Sequence, residues 1–205
     1  MVAQPLKTPG ARCTWTDYRS WPDEERWEIL AGVAYAMSPA PSTRHQMVTG
    51  NFFGCLRQAL AGSRCKPFVA PTDVKLSDND VVQPDILVVC DAARITPSHV
   101  EGAPDLIVEV LSPATATKDL RQKKALYEES GVREYIVVDP LEHYAIRFLR
   151  GADGSYDKGT VFAADEKLVC ATLEGIEIPL REVFDLAGPA GGDAVIRTRL
   201  LDRPA

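Results

Sequence analysis

The sequence has no long hydrophobic run, and its first residues form no apolar segment of the kind that directs secretion. No stretch approaches the roughly 18 uninterrupted apolar residues that a membrane-spanning helix needs. The opening residues, MVAQPLKTPG, contain no hydrophobic signal-peptide core. We therefore expect a cytoplasmic protein with no membrane partner.

Cysteine and histidine are scarce. The five cysteines form an odd set without a CxxC pair, so neither a disulfide framework nor a cysteine-rich zinc site is predicted. His45, His99 and His143 are too far apart in the sequence to indicate a histidine-rich metal site. The last two are most simply interpreted as surface or capping residues.

The sequence also lacks an excess of basic residues. It contains 23 Lys and Arg against 29 Asp and Glu, which gives a formal net charge of −6 over 205 residues. Proteins that hold nucleic acid by bulk electrostatics usually have a basic surface. This charge balance argues against that mode of binding but is compatible with a small basic cleft.

The length of the chain suits a single domain, and the absence of an internal repeat excludes a solenoid. We expect one domain over residues 1–187, with GPAGG at 188–192 starting a linker and tail that run to residue 205. The predicted elements are a hairpin at 27–37, a helix at 43–61 capped by Thr43 and Gln46, strands at 67–70, 72–76, 81–90, 106–111 and 134–138, and a second helix from Thr115 or Thr117 to Glu129.

Two carboxylates stand alone inside apolar runs. Asp85 lies within VVQPDILVVC at 81–90, and Glu109 lies within LIVEVL at 106–111. A lone buried charge is costly, so such a residue is usually paired, protonated, bound to a metal or directed at a cleft. Either residue alone is equally compatible with an exposed strand end, but two on neighbouring strands favour a shared functional site. A divalent cation would keep both ionised, and ligation by oxygen favours Mg²⁺ or Mn²⁺.

The predicted second helix carries Asp119, Lys123 and Tyr127 at positions i, i+4 and i+8, which share one helix face. On spacing alone this pattern is more typical of a solvated Asp–Lys pair with the tyrosine in the core. The helix follows directly after the strand that carries Glu109, which strengthens the alternative of a functional role.

The order of these segments resembles the Uma-two family of restriction endonuclease-like proteins, a branch of the PD-(D/E)-x-K nuclease superfamily. The resemblance covers roughly residues 14–184, and its most specific part runs from GAPDLIVEVLSP to KDLRQKKALYEESGVREYIVVDP. It implies an α/β protein of the mixed α+β kind, with a restriction-endonuclease-like central mixed sheet flanked by helices. The catalytic residues would lie on two strands and on the helix packed against them.

The resemblance assigns roles by position. Asp85 matches the aspartate of the PD element, and Glu109 matches the acidic residue of the (D/E)-x-K element. Leu111 stands where the superfamily pattern has lysine, which resembles nucleases whose lysine has moved to the following helix, where Lys123 is the matching residue. Tyr127 would orient Lys123 or simply pack in the core.

Two further positions match the amino-terminal part of the family. Glu28 resembles an acidic residue that would hold a second ion or a metal-bound water, although an exposed hairpin glutamate is an equally good interpretation. His45 matches a histidine position at a helix start, where a structural role is the simpler interpretation.

From these features we expect a DNA endonuclease that uses Mg²⁺ or Mn²⁺ to hydrolyse phosphodiester bonds. Asp85, Glu109 and the backbone carbonyl of Val110 would bind the metal ion, and Lys123 would stabilise the transition state. We also expect a homodimer, since two-fold symmetry suits cleavage of both strands. A non-catalytic interaction protein on a nuclease fold, which the acidic pI slightly favours, and a nucleotide phosphohydrolase are the alternatives.

Overall fold

The computed structural model describes residues 12–22, 24–37, 40–113 and 115–186. The predicted linker and tail lie outside the described residues. The helices are α1 (Trp15–Tyr18), α2 (Thr43–Ala59), α3 (Lys124–Ser130) and α4 (Leu180–Val183), with a 3-10 turn at Ala92–Arg94 and a π-helix at Lys118–Lys123. Within this part of the chain, no helix combines the length and the apolar character that crossing a membrane requires.

The strands form three sheets. In chain order they are β1 (Trp27–Leu30), β2 (Val33–Ala36), β3 (Lys66–Val69), β4 (Val74–Ser77), β5 (Asp80–Val82), β6 (Ile86–Val89), β7 (Val100–Glu101), β8 (Leu106–Val110), β9 (Glu134–Asp139), β10 (Tyr144–Leu149), β11 (Thr160–Ala163), β12 (Lys167–Cys170) and β13 (Ile176–Pro179). One sheet has the order β11-β10-β9-β8-β6-β3, a second has the order β2-β1-β5-β4-β7, and β12 pairs with β13.

The six-stranded sheet is the centre of the fold and is mixed, because β8 pairs with β9 in parallel and with β6 in antiparallel. Its aliphatic strands are buried on both faces. One face packs against Val48, Phe52 and Leu56 of α2. The opposite face packs against α3 and against residues of the five-stranded sheet such as Val74 and Val82. The predicted class, a mixed sheet flanked by helices, is confirmed.

The predicted amino-terminal hairpin is present as β1 and β2. Ala31 and Gly32 both have positive φ angles, 50° and 79°, which is the backbone of a tight hairpin turn. The predicted first helix is also present, but Ser42 caps it, not Thr43: the Ser42 side chain accepts a hydrogen bond from the backbone N–H of His45.

The predicted single strand at 81–90 is wrong. Val81 and Val82 belong to β5 in the five-stranded sheet, whereas Ile86 begins β6 in the six-stranded sheet. Pro84 has no backbone N–H with which to continue a ladder, and the chain crosses between the two sheets at this point. This crossing places Asp85 at the beginning of a central strand.

The predicted second helix is present, but it begins as the π-helix Lys118–Lys123 before continuing as α3. Thr117, the residue before the π-helix, makes no side-chain capping bond, so of the two predicted caps this one is not supported. The helix ends at Gly131, whose φ of 90° is a left-handed conformation that favours glycine. The last helical residue is therefore Ser130, one residue beyond the predicted end at Glu129.

One feature contradicts the cysteine analysis. Cys65 and Cys90 form a disulfide, although the odd cysteine count predicts no disulfide framework. The two residues flank β3 and β6, which are neighbouring strands at one edge of the central sheet. Pairing of the strands therefore brings together two cysteines whose sequence spacing carries no recognisable motif.

Candidate active site

Asp85 directly precedes β6, and Glu109 lies on the neighbouring strand β8. The register of β6 and β8 pairs Ile86 with Val108 and Leu87 with Ile107. Continued by one residue, this register sets Asp85 across from Glu109. Residues opposite each other in a sheet project to the same face, so the two carboxylates belong to one site.

Asp85 stands at the solvent-accessible edge of this site, with 19% of its side chain exposed. Its Oδ2 atom accepts a hydrogen bond of 2.8 Å from the backbone N–H of Val110. The same oxygen lies 3.2 Å from Nε2 of His45. His45 therefore has a second role besides its place in the first turn of α2: its ring contacts a candidate catalytic carboxylate.

Glu109 is buried, with 4% of its surface exposed. Its Oε1 atom accepts hydrogen bonds from Nζ of Lys123 at 2.9 Å and from the Tyr127 hydroxyl at 2.7 Å. Burial raises the pKa of Glu109. The charge of Lys123 opposes this rise, but nearby carboxylates including Asp85 add to it. The site thus carries more negative charge than its own cations neutralise.

Glu28 is buried on β1 of the other sheet and faces the same lysine. Nζ of Lys123 lies 2.8 Å from its Oε1 atom, and Nζ of Lys118 lies 2.5 Å from its Oε2 atom. The backbone N–H of Gln83 also donates to Oε1. Burial alone would raise the pKa of Glu28, but the charges of Lys123 and Lys118 outweigh it and lower the pKa to about 2.

Lys123 is the centre of the cluster, with 4% of its surface exposed. Its ammonium group contacts Glu28 and Glu109, and it also lies 3.8 Å from Asp119. Burial disfavours the ammonium form, yet the three carboxylates raise the pKa of Lys123 well above its usual value. The solvated Asp–Lys pair that helix spacing favours is therefore not what the fold contains, because Asp119 and Lys123 are both buried.

The structure brings together Asp85, Glu109, Lys123, Glu28 and Tyr127, which are the predicted catalytic residues. Lys118 is a member of this cluster that the predicted site did not include. Positions 118 and 123 are five apart, and an α-helix directs such positions to different sides, so spacing carried no signal for it. Two other basic residues are engaged elsewhere: Lys75 pairs with Asp78, and Lys124 lies over the ring of Phe148.

The donor chemistry of the site fits a hard divalent cation. Asp85 and Glu109 supply carboxylate oxygens, and the residue after Glu109, Val110, supplies a backbone carbonyl. Among the described residues no group of three or more His, Cys, Asp or Glu side chains is arranged to hold a metal ion. Mg²⁺ needs no such group, since it typically binds one or two carboxylates and takes its remaining ligands from water and substrate phosphate.

Comparison with known proteins shows the family of this chain. A family model described as "Uma2: Putative restriction endonuclease" matches residues 15–181. The chain therefore belongs to the Uma2 (Uma-two) family, and the resemblance seen in the sequence is confirmed. The match includes every residue of the cluster.

Two individual proteins are similar to this chain. An uncharacterized Synechocystis protein, slr1290, is 25% identical over 162 residues, which are 76% of this chain and 84% of that protein. The crystal structure of a putative nuclease of DUF820 from Anabaena variabilis superposes with a TM-score of 0.69 at 16% identity. The superposition covers 84% of this chain and 97% of the Anabaena variabilis protein. The two proteins therefore share a fold.

Proposed function

We propose that this protein is a metal-dependent DNA endonuclease. The observation that supports this most is the buried lysine held between acidic residues of two sheets: Lys123 contacts Glu28 and Glu109, and Asp85 stands opposite Glu109. Fold stability alone does not explain such a cluster, since buried ion pairs are often no better than well-packed apolar residues.

Asp85, Glu109 and the carbonyl of Val110 would hold a Mg²⁺ or Mn²⁺ ion. When bound, such an ion lowers the pKa of a coordinated water and neutralises charge on the scissile phosphate. The raised pKa of Glu109 supports this assignment, because a nearby cation would relieve the excess negative charge.

Lys123 would stabilise the charge that develops on the phosphate oxygens in the transition state. Its position is defined from three sides by carboxylates. Glu28 acts in this scheme as a positioning residue for the lysine, and the Tyr127 hydroxyl fixes the Glu109 oxygen that the lysine also contacts. The ammonium group is therefore in place before substrate binds, and binding does not have to pay the entropy cost of ordering it.

The test is cleavage of supercoiled plasmid and of a labelled duplex oligonucleotide in the presence of Mg²⁺ or Mn²⁺. We expect the wild type to nick or cut DNA and Asp85→Asn to lose this activity together with calorimetric binding of the metal ion. Asp91→Asn is the matched control, since Asp91 is exposed beyond the other end of β6. Equal cleavage by the wild type and Asp85→Asn would contradict the assigned site.

The same assays separate the alternatives. Hydrolysis of nucleotides without cleavage of DNA would favour a phosphohydrolase, and inactivity with every metal ion and DNA form would favour an interaction protein, which the net charge of −6 also suits. We further propose a homodimer, because a two-fold assembly sets two sites on one duplex. A monomer mass by light scattering at micromolar concentration would exclude it.

A further inference from the structure

Lys118 and Lys123 hold the same carboxylate but differ in their access to solvent. Each ammonium group contacts one oxygen of Glu28. The side chain of Lys118 is 19% exposed, whereas that of Lys123 is 5% exposed and Glu28 itself is 1% exposed. Lys118 therefore closes the cluster on its outer side.

The π-helix is what allows both lysines to reach Glu28. In an α-helix of 3.6 residues per turn, positions five apart point about 140° away from each other. In a π-helix, whose hydrogen bonds join residues five apart, such positions lie on nearly the same side. Lys118 and Lys123 are the first and last residues of the π-helix, so this local widening of the helix places two cations on one acidic side chain.

The two lysines are not equally free to leave Glu28. Without Lys118, Glu28 still accepts from Lys123 at 2.8 Å and from the backbone N–H of Gln83 at 3.2 Å. Without Lys123, Glu109 would lose its ammonium partner inside the core. Lys118 also lies 4.7 Å from the centre of the Tyr35 ring, a contact that stabilises a cation without requiring a carboxylate.

We propose that Lys118 binds the substrate, by exchanging Oε2 of Glu28 for a phosphate oxygen of the nucleic-acid backbone. This inference rests on the proposed function. The site contains Asp85, Glu109, Glu28 and Asp119, and an entering phosphate diester needs a cation at the outer side of these carboxylates. Of the two lysines that contact Glu28, Lys118 is the one with access to solvent, while Lys123 remains buried to act on the reacting group.

The experiment measures binding of a fluorescently labelled duplex oligonucleotide by anisotropy, without divalent ions, at several salt concentrations. For one lost phosphate contact, we expect Lys118→Gln to bind more weakly and to reduce the slope of log K against log salt by about one. The ratio of the wild-type affinity to the Lys118→Gln affinity should then shrink about 4-fold between 50 and 200 mM salt. Lys118→Arg should retain the slope of the wild type.

Lys124→Gln is the matched control, because it removes the same charge from the next helix, where the ammonium group lies over Phe148. In cleavage assays, Lys118→Gln should raise KM more than it lowers kcat, a split that a merely structural role would not produce. Urea unfolding of each variant measures any loss of folded protein separately.

The results distinguish failure of the proposed role of Lys118 from failure of the proposed endonuclease function. If the wild type binds and cuts DNA but Lys118→Gln keeps its affinity and salt slope, or matches Lys124→Gln, the role of Lys118 is overturned and the proposed function stands. If the wild type neither binds nor cuts DNA, both proposals are overturned.

Discussion

The ammonium group of Lys123 lies 2.8 Å from Glu28 and 2.9 Å from Glu109, and these two carboxylates belong to different sheets. Glu28 is on β1 of the five-stranded sheet, and Glu109 is on β8 of the six-stranded sheet. One lysine thus links the two sheets at the place where the chain crosses between them before Asp85. The candidate active site is therefore also a structural junction.

Lys123→Ala should destabilise the fold strongly, because it leaves buried carboxylates without a cation. We expect the free energy of unfolding to fall by about 3–5 kcal/mol, measured by urea denaturation monitored by circular dichroism. Lys124→Ala, at the first residue of α3, should change the free energy of unfolding by less than about 1 kcal/mol. A variant at position 123 as stable as this control would mean that the ion pairs contribute no net stability.

Glu28→Gln should lose stability at neutral pH but not in acid. Burial opposes ionisation of Glu28, yet Lys123 and Lys118 lower its folded-state pKa from 4.5 to about 2. Because the folded pKa is the lower one, the carboxylate stabilises the fold above pH 4.5, by about 3 kcal/mol, and this contribution disappears as the pH falls towards 2.

Urea denaturation of the wild type and Glu28→Gln between pH 3 and pH 7 tests this dependence. The difference in the free energy of unfolding between the wild type and Glu28→Gln should fall to less than half its value at neutral pH by about pH 3. Glu129→Gln, on the exposed side of α3, should show little difference at any pH. A difference for Glu28→Gln that does not vary with pH would contradict the charge-based explanation.

Tyr127→Phe should cost more stability than an equivalent change at a neighbouring tyrosine. The Tyr127 hydroxyl donates to the carboxylate of Glu109, whereas the Tyr135 hydroxyl donates to the backbone carbonyl of Asp119. Hydrogen bonds to charged groups contribute about 1.5–3 kcal/mol and neutral ones about 1 kcal/mol. At pH 9, above the raised pKa of Glu109 of about 8, we therefore expect Tyr127→Phe to lower the free energy of unfolding in urea by more than Tyr135→Phe does. The reverse order would mean that the Tyr127 hydroxyl does not donate to an ionised Glu109.

The disulfide can be tested by counting thiols. Denatured, unreduced protein should react at Cys13, Cys55 and Cys170, which are free in the structure, and reduction should add Cys65 and Cys90. Replacing both of these with serine should lower the free energy of unfolding by about 3 kcal/mol, since the bond closes a loop of 25 residues. Five reactive thiols before reduction would show that the bond does not form.

Local patterns were sufficient to predict the hairpin, the long helix, the central strands and the two carboxylates within them. Each of these depends on contacts close in sequence or on the cost of a charge in an apolar run, which is visible in the residues themselves. The family resemblance added Glu28 and Lys123 by position, without their contacts. Errors arose where a turn or a non-standard helix interrupted a regular pattern, as at Pro84 and Lys118–Lys123.

The residues alone indicate which segments are buried and that Asp85 and Glu109 need partners, because hydrophobicity and charge are properties of the residues. The identity of those partners follows from the tertiary structure. Glu28 reaches Lys123 through packing of one sheet on another, Lys118 reaches Glu28 through the π-helix, and His45 reaches Asp85 from a helix on the other face. Such contacts join residues distant in the chain, and their geometry follows from how the sheets and helices pack together, which no local periodicity encodes.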